Sequence, residues 1–479
     1  MLVPSPFVAA PAYHRHRPEL TTLYAIVAEH YPRFLQKIER SGGHLPRFVR
    51  QEFDDYLKCG LLEHGFLRVK CDGCHHEHLV AFSCKRRGFC PSCGARRMVE
   101  SAAHLVDHVF PEVPVRQWVL TFPFALRFLL AAHPEALTQV LAVVQRGIST
   151  FVVRHSGLTV SSGAKTGTVT LIQRFGSALN LNPHLHMLFL DGAYAFRPKR
   201  AVFHRACQPT GDELNRLLDT LSRRILRVLE RRGLLVADPV PPYLDLEPGS
   251  SLDHLLASSI NYRIAIGPHA GRKALTLYSV PPVEQAPHNP LLAQVTGLSL
   301  HAATVCEAHQ RSRLERLCRY ITRPPVATKR LSLDRQGRVV YQYKRAFRDG
   351  STHVVLEPLD FMARLAALVP RPRLNLTRFH GVFAPNFKYR KRIVPRHAPS
   401  RVDADKPLAP MTWAQRLKRV FQIDIETCPE CGGKLRVIAC IDDPPLIAWV
   451  LGHLRSRAPV TAIQARGPPA DAQQALQLT

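Results

Sequence analysis

Residues 167–192 read GTVTLIQRFGSALNLNPHLHMLFLDG, two apolar runs separated by a short segment that holds Asn180, Asn182 and Pro183. Apolar runs of this length joined by turn-forming residues predict two strands with a hairpin-like connection. Side chains alternate along a strand, so His184, His186, Leu188 and Leu190 share one face while Leu185, Met187 and Phe189 share the other. Both faces are apolar, which predicts a central strand covered on both sides. Two imidazoles at neighbouring positions of one face can share a cation. Hydrogen-bonded core histidines are the plainer alternative.

Outward from this pair, VRQWVLTF at 115–122 reads as a further strand, and LRFLLAA and ALTQVLAVVQRGISTFVVRHS as the helices that follow it. Residues 211–232 form a basic amphipathic helix, and PVPPYLDLEPGSS is a proline-rich connector. A helix is expected over about 300–321, ending before Pro324 and Pro325, where proline denies the next turn its donor. VVYQYKRAF and HVVLEP alternate as a hairpin around Asp349 and Gly350, and the basic run KYRKR comes next. At the other end, residues 1–70 read as helices with basic faces.

Lys and Arg number 65 against 37 Asp and Glu, a net charge of +28, and the isoelectric point is near 10.1. Such a field favours a polyanion, because each phosphate contact releases condensed counterions. Charged residues at 21% and hydrophobic residues at 46% argue against global disorder. The stretch WVLTFPFALRFLLAA is broken by Arg127, so no membrane role is expected, and no secretory signal is visible near the start. A cytoplasmic, nucleoid-associated protein is the expectation. In a reducing compartment its twelve cysteines point to metal rather than to disulfides.

Cys71-x-x-Cys74, fifteen intervening residues and Cys90-x-x-Cys93 have the spacing of two zinc knuckles, and the expectation is one structural Zn²⁺ held by these four thiolates. His75, His76, His78 and Cys84 lie between the pairs and are possible substitutes. Arg86, Arg87, Arg96 and Arg97 suit DNA phosphates, with an ordinary solvated basic face as the alternative. Cys428-x-x-Cys431 resembles half of another knuckle, for which Cys440 and His453 could finish a shell; reduced surface cysteines are equally compatible with the sequence.

Tyr320 lies near the end of the helix that precedes Pro324. At about 100° per residue it falls roughly 60° from Leu317, at the border of the apolar stripe and on the side of Arg313 and Arg316. A phenol is a weak nucleophile unless its anion is favoured, and guanidinium groups would both favour it and bind a phosphate. A core tyrosine capping a helix is the alternative.

These residues resemble the HUH-type rolling-circle transposases of the IS-ninety-one group, especially its ISCR branch. The resemblance covers nearly the whole chain and rests on CDGCHHEHLVAFSCKRRGFCPSCGARRM, LIQRFGSALNLNPHLHMLFLDG, CRYITRPP, RFHGVFAPNFKYR and CPECGGKLRVIACIDDP, in that order. It implies that His184 and His186 hold a catalytic Mg²⁺ or Mn²⁺, with Gln173 as the third ligand and Asn182 as second choice. It also implies that Tyr320 is the nucleophile. Members of the group carry a second tyrosine four residues upstream, where this chain has Arg316, so the single-tyrosine form is implied.

The fold expected is α+β: an HUH-type antiparallel sheet flanked by helices over 111–330, preceded by a helical and zinc-ribbon-like module over 1–110. A basic β-hairpin extension over 331–400 and a Cys-x-x-Cys region with a tail over 401–479 complete the expectation. The function implied is nicking and rejoining of single-stranded DNA at transposon ends and target through a 5′-phosphotyrosine. Phosphodiester energy stored in that link would remove the need for ATP, and the chain has no Gly-x-x-x-x-Gly-Lys-Ser/Thr loop. Lys388, Arg390, Lys391 and Arg392, interleaved with Phe387 and Tyr389, suit a single strand by charge and stacking, against the alternative of a solvated loop. A plasmid-type replication initiator or relaxase, and a non-catalytic zinc DNA-binding protein, are the other readings.

Overall fold

The structure is a computed structural model and describes residues 17–198, 200–235, 250–282, 289–395, 428 and 430–457, with the side chains of 454–457 left aside. The chain opens on α1 (Thr22–Arg40), capped by the Thr21 hydroxyl, which accepts from the Tyr24 amide. Its stripe Leu23, Ile26, Val27, Phe34 and Ile38 is buried at helical spacing. α2 (Arg47–Lys58) packs beside it, and the hairpin β1 (Phe66–Cys71) and β2 (Glu77–Ala81) leads to α3 (Pro91–His108).

β3 (Val115–Thr121), α4 (Phe124–Ala132) and α5 (Pro134–His155) follow, then β4 (Gly167–Phe175) and β5 (Leu181–Leu190). The ribbon β6 (Gly192–Phe196) and β7 (Ala201–Arg205) precedes α6 (Gly211–Glu230), which starts on a Thr210–Glu213 capping box. Beyond it come α7 (Ser251–Ile260), β8 (Leu275–Tyr278), β9 (Leu292–Val295), β10 (Leu298–Cys306) and α8 (Arg311–Thr322). The chain continues through β11 (Leu331–Leu333), β12 (Val339–Gln342), β13 (Ser351–Leu356), α9 (Pro358–Leu368) and β14 (Thr377–Gly381). The last described elements are β15 (Leu435–Ile441) and α10 (Pro444–Arg457).

A six-stranded antiparallel sheet in the order β14-β4-β5-β3-β10-β9 organises the middle of the molecule. The central strand is β5, as the alternation of its sequence requires. Leu185, Met187 and Phe189 pack on one side with residues of α4, α5 and α6, while Leu188 and Leu190 pack on the other with α3 and α8. α5 alone among the described residues is long and apolar enough to cross a membrane, and it lies against α6 with most of its apolar surface buried. The hairpin around Asp349 and Gly350 forms as expected, but within a second sheet, β11-β12-β13-β8, that shares a core with α1, α7 and α9. β14, from the segment expected to be an extension, is an edge strand of the main sheet.

The helix expected over about 300–321 is corrected. Its first part is β10, because Leu298, Leu300 and Ala302 alternate into the core while Ser299 and His301 pair with Thr121 and Val119 of β3. A turn in which the Gln310 amide donates to the Glu307 carbonyl separates that strand from α8.

Candidate active site and metal centres

The antiparallel register sets Gln173 of β4 and Thr121 of β3 on either side of His184, and Leu171 and Val119 on either side of His186. Residues directly opposite in such pairs share a face, so Gln173, His184 and His186 all face the layer of α3 and α8. The two imidazoles are buried, with ring centroids 4.8 Å apart. His184 Nδ1 lies 2.7 Å from the Asn182 carbonyl oxygen. A carbonyl only accepts, so Nδ1 carries the proton and Nε2 keeps its lone pair. His186 Nδ1 lies 2.8 Å from the side-chain amide of Gln117; with that amide turned so that its oxygen accepts from Nδ1–H, His186 Nε2 keeps its lone pair as well. Such a partner on the second ring nitrogen fixes an imidazole's orientation. Burial pushes His184 down to about 4, with Arg323 and Arg127 adding to the effect, and burial with His184 and Arg323 nearby pushes His186 well below its ordinary value. Both rings are neutral at pH 7, the form that binds a cation.

Gln173 reaches across the layer. Its Nε2 donates to the Ile321 carbonyl of α8 over 2.8 Å, which leaves its oxygen as the atom available to a metal. Leu314, Cys318 and Ile321 bury the inner stripe of α8, and Tyr320 sits half-buried at the edge of the same core. Arg323 lies 4.2 Å over the Tyr320 ring and Lys344 lies 4.4 Å from its centroid. The Arg323 Nη1 also donates to the Tyr320 carbonyl at 2.7 Å. Arg313 and Arg316 are exposed on α8, and both act on Cys306 electrostatically. The cations on the phenol are thus Arg323 and Lys344, which sequence reasoning missed along with Gln117. The alternation of VRQWVLTF could have placed Gln117; nothing local connects Lys344 to Tyr320.

The expected shell of Cys71, Cys74, Cys90 and Cys93 is corrected, because the two pairs belong to different clusters. Cys59, Cys84, Cys90 and Cys93 form one tetrad, and Cys71, Cys74, Cys428 and Cys431 form another. Sulfurs lie 3.7 Å apart for Cys59–Cys93 and 3.4 Å for Cys84–Cys93 in the first, and 3.4 Å for Cys71–Cys431 and 3.5 Å for Cys74–Cys428 in the second. Tetrahedral zinc with bonds of about 2.3 Å sets its sulfurs roughly 3.8 Å apart, while a disulfide needs about 2.05 Å. Both tetrads fit zinc. Cys59 ends α2 and Cys90 caps α3, whose first turn supplies Cys93, so helix packing gathers this set. Hydrogen bonds from Cys59, Cys84 and Cys90 hold Cys93 well below the usual thiol value, and the Cys74 amide holds Cys71 down to about 7. Cys440, offered as a partner for Cys428 and Cys431, stands exposed on β15 opposite Leu67 and belongs to neither set; His453 likewise lies outside both.

Residues 26–122 match the family model described as "Transposase zinc-binding domain", of the IS-ninety-one group, and residues 167–391 match the one described as "Putative transposase". The chain belongs to the IS-ninety-one transposase family. No curated protein and no solved structure matches it. The zinc-binding match contains Cys59, Cys71, Cys74, Cys84, Cys90 and Cys93, in agreement with structural zinc; the transposase match contains Gln173, His184, His186 and Tyr320.

Several of the transposase's expected DNA-binding arginines have internal partners. Arg86 is paired with Asp55 and Arg96 with Glu100, Arg87 donates to the Leu374 carbonyl at 2.7 Å, and Arg97 to the Lys85 and Arg86 carbonyls. In the KYRKR run, Lys388 and Arg392 lie over the Tyr389 ring, Arg390 donates to the Phe383 carbonyl, and Tyr389 stacks on Phe196 at 5.0 Å. Lys391 stands beside them, in the turn Arg390–Arg392.

Proposed function

We propose that this transposase nicks and rejoins single-stranded DNA with Tyr320 as the nucleophile, as a single-tyrosine HUH enzyme. The observation that carries the reading is the Gln173–Ile321 hydrogen bond, which fastens the tyrosine helix across the face that presents His184 and His186. Two neutral imidazoles and an amide oxygen are a donor set suited to Mg²⁺ or Mn²⁺, which when bound would polarise the scissile phosphate. His184 and His186 would hold the ion, with Gln173 as third ligand and Asn182, whose side-chain Oδ1 is buried without a hydrogen-bond partner, as second choice.

Attack by the Tyr320 oxygen on phosphorus forms the phosphotyrosine bond and breaks the bond to the 3′-oxygen. The phenol gives up its proton and the departing 3′-oxygen takes one up, so a 5′-phosphotyrosine and a free 3′-hydroxyl result. Arg323 and Lys344, both over the Tyr320 ring, supply positive charge for the phosphate as it is transferred. Rejoining is the reverse, with the 3′-hydroxyl of a second strand as the attacking group. With Arg316 exposed on the turn before Tyr320, the reaction needs no second tyrosine on this helix.

DNA is the partner that a transposase and a charge of +28 call for. Arg313 and Arg316, with Lys388, Arg390, Lys391 and Arg392, are proposed to track the backbone. Arg86, Arg87, Arg96 and Arg97 contribute to the field while bracing the zinc module. The protein is proposed to act on DNA in the cytoplasm, with the chromosome. The test is to incubate the protein with labelled single-stranded and duplex oligonucleotides from its element's ends, with Mg²⁺ or Mn²⁺. A covalent adduct with the single strand is expected. Binding without any adduct would favour a non-catalytic zinc DNA-binding protein.

A further inference from the structure

Cys428 and Cys431 lie outside both matched spans, yet their sulfurs meet those of Cys71 and Cys74 across 354 and 360 positions of chain. We propose that these four cysteines bind a second zinc that latches the C-terminal segment onto the N-terminal module, so that the module is built from both ends of the described chain.

The geometry on each side is that of a metal knuckle. Backbone N–H groups donate to the sulfurs, from Gly73 to Cys71 at 3.3 Å and from Gly433 to Cys431 at 3.4 Å, as they do when sulfur is a thiolate. The Cys428 amide donates to the Gly433 carbonyl at 2.7 Å and the Gly432 amide to the Cys428 carbonyl at 2.9 Å, closing a tight turn. Gly432 has φ +75°, a conformation that favours glycine, and a Cβ on Gly433 would come within 2.9 Å of the Cys71 sulfur. The two glycines of CPECGG thus serve the approach of the two turns.

Beyond the knuckle, β15 pairs with β1 from Phe66–Ile441 to Cys71–Leu435, and the Asp72 amide donates to the Lys434 carbonyl at 2.9 Å. β1 is therefore the middle strand of a three-stranded sheet whose third strand comes from the far end of the chain. Apolar fastening is small: Phe66, Ile441, Ile447 and Val450 are the buried members of this cluster, while Val437, Ile438 and Trp449 are exposed. A segment with so little core needs another tether, and thiolate–zinc bonds supply one. The two sites differ in access. Cys74 and Cys431 are exposed, whereas Cys59, Cys90 and Cys93 are buried, so the latch zinc is the one a chelator reaches first.

Zinc content of the full chain, purified without added metal, and hydrogen exchange of residues 435–441 test this together. Two zinc ions per chain are expected, falling to one in the double variant Cys428→Ser/Cys431→Ser, with the amides of 435–441 losing at least tenfold in protection while those of 167–190 keep theirs. Cys431→His, which keeps a ligand, should retain both ions. On wild type, brief chelation should remove one zinc and produce the same loss of protection, a readout that does not depend on any variant folding. A single zinc in the wild type, two in the double variant, or unchanged protection of 435–441 after loss of one zinc would each overturn the latch.

Discussion

Gln173 on β4 donates its side-chain amide to the Ile321 carbonyl on α8, one residue beyond Tyr320. On its own strand Gln173 stands opposite His184, so a single side chain joins the histidine strand to the tyrosine helix. Gln173→Glu keeps an oxygen for a cation but cannot donate to the carbonyl. We expect it to lower the single-turnover cleavage rate roughly 10- to 100-fold with little change in DNA affinity, as loss of a partner that orients a site does. An unchanged rate would remove the tether from the account.

His184→Ala and His186→Ala should each abolish divalent-ion-dependent cleavage. Binding rests on many phosphate contacts spread over a basic surface, so oligonucleotide affinity should change less than about threefold. Cleavage assays at saturating Mg²⁺ and Mn²⁺, paired with fluorescence anisotropy, separate the two effects; wild-type rates in either variant would refute the metal assignment.

Lys344→Met keeps much of the side chain's length and removes its charge from over the Tyr320 ring. Cleavage should slow about tenfold or more, and Lys344→Arg should recover a good part of the loss, because the charge facing the phenolate is what matters. Equal losses in both variants would point to packing instead.

Much of this site is legible in sequence because it depends on local periodicity. His184 and His186 share a face by strand alternation, and the position of Tyr320 at the border of the α8 stripe follows from 100° per residue. The cysteines show where periodicity stops helping. Their spacing announces metal, but which pairs share an ion is decided by tertiary contacts: α2 delivers Cys59 to the Cys90–Cys93 turn, and β15 delivers Cys428 and Cys431 to Cys71 and Cys74. Lys344 reaches Tyr320 in the same way, through the placement of the second sheet. HAATVC at 301–306 has a composition compatible with helix, whereas pairing with β3 decides its state.

Asp191 and Arg116 hold the end of the central strand. They form a buried two-point ion pair at 2.7 and 3.1 Å, and Arg116 also donates to the Ala302 carbonyl of β10. Asp191→Ala strands a buried guanidinium and should cost about 3–5 kcal/mol of stability. Urea unfolding followed by far-ultraviolet circular dichroism measures it; a loss under about 1 kcal/mol would mean that solvent reaches the pair.

Tyr320→Phe removes one oxygen and almost no volume, so fold and DNA binding should persist while the covalent adduct disappears. The direct measurement is mass spectrometry of the peptide linked to DNA after wild-type protein is trapped on a single-stranded oligonucleotide from the element's end. A 5′-phosphotyrosine at Tyr320 is expected. A nucleotide on Tyr194, Tyr341, Tyr389 or any other tyrosine, or an adduct that survives in Tyr320→Phe, would contradict it.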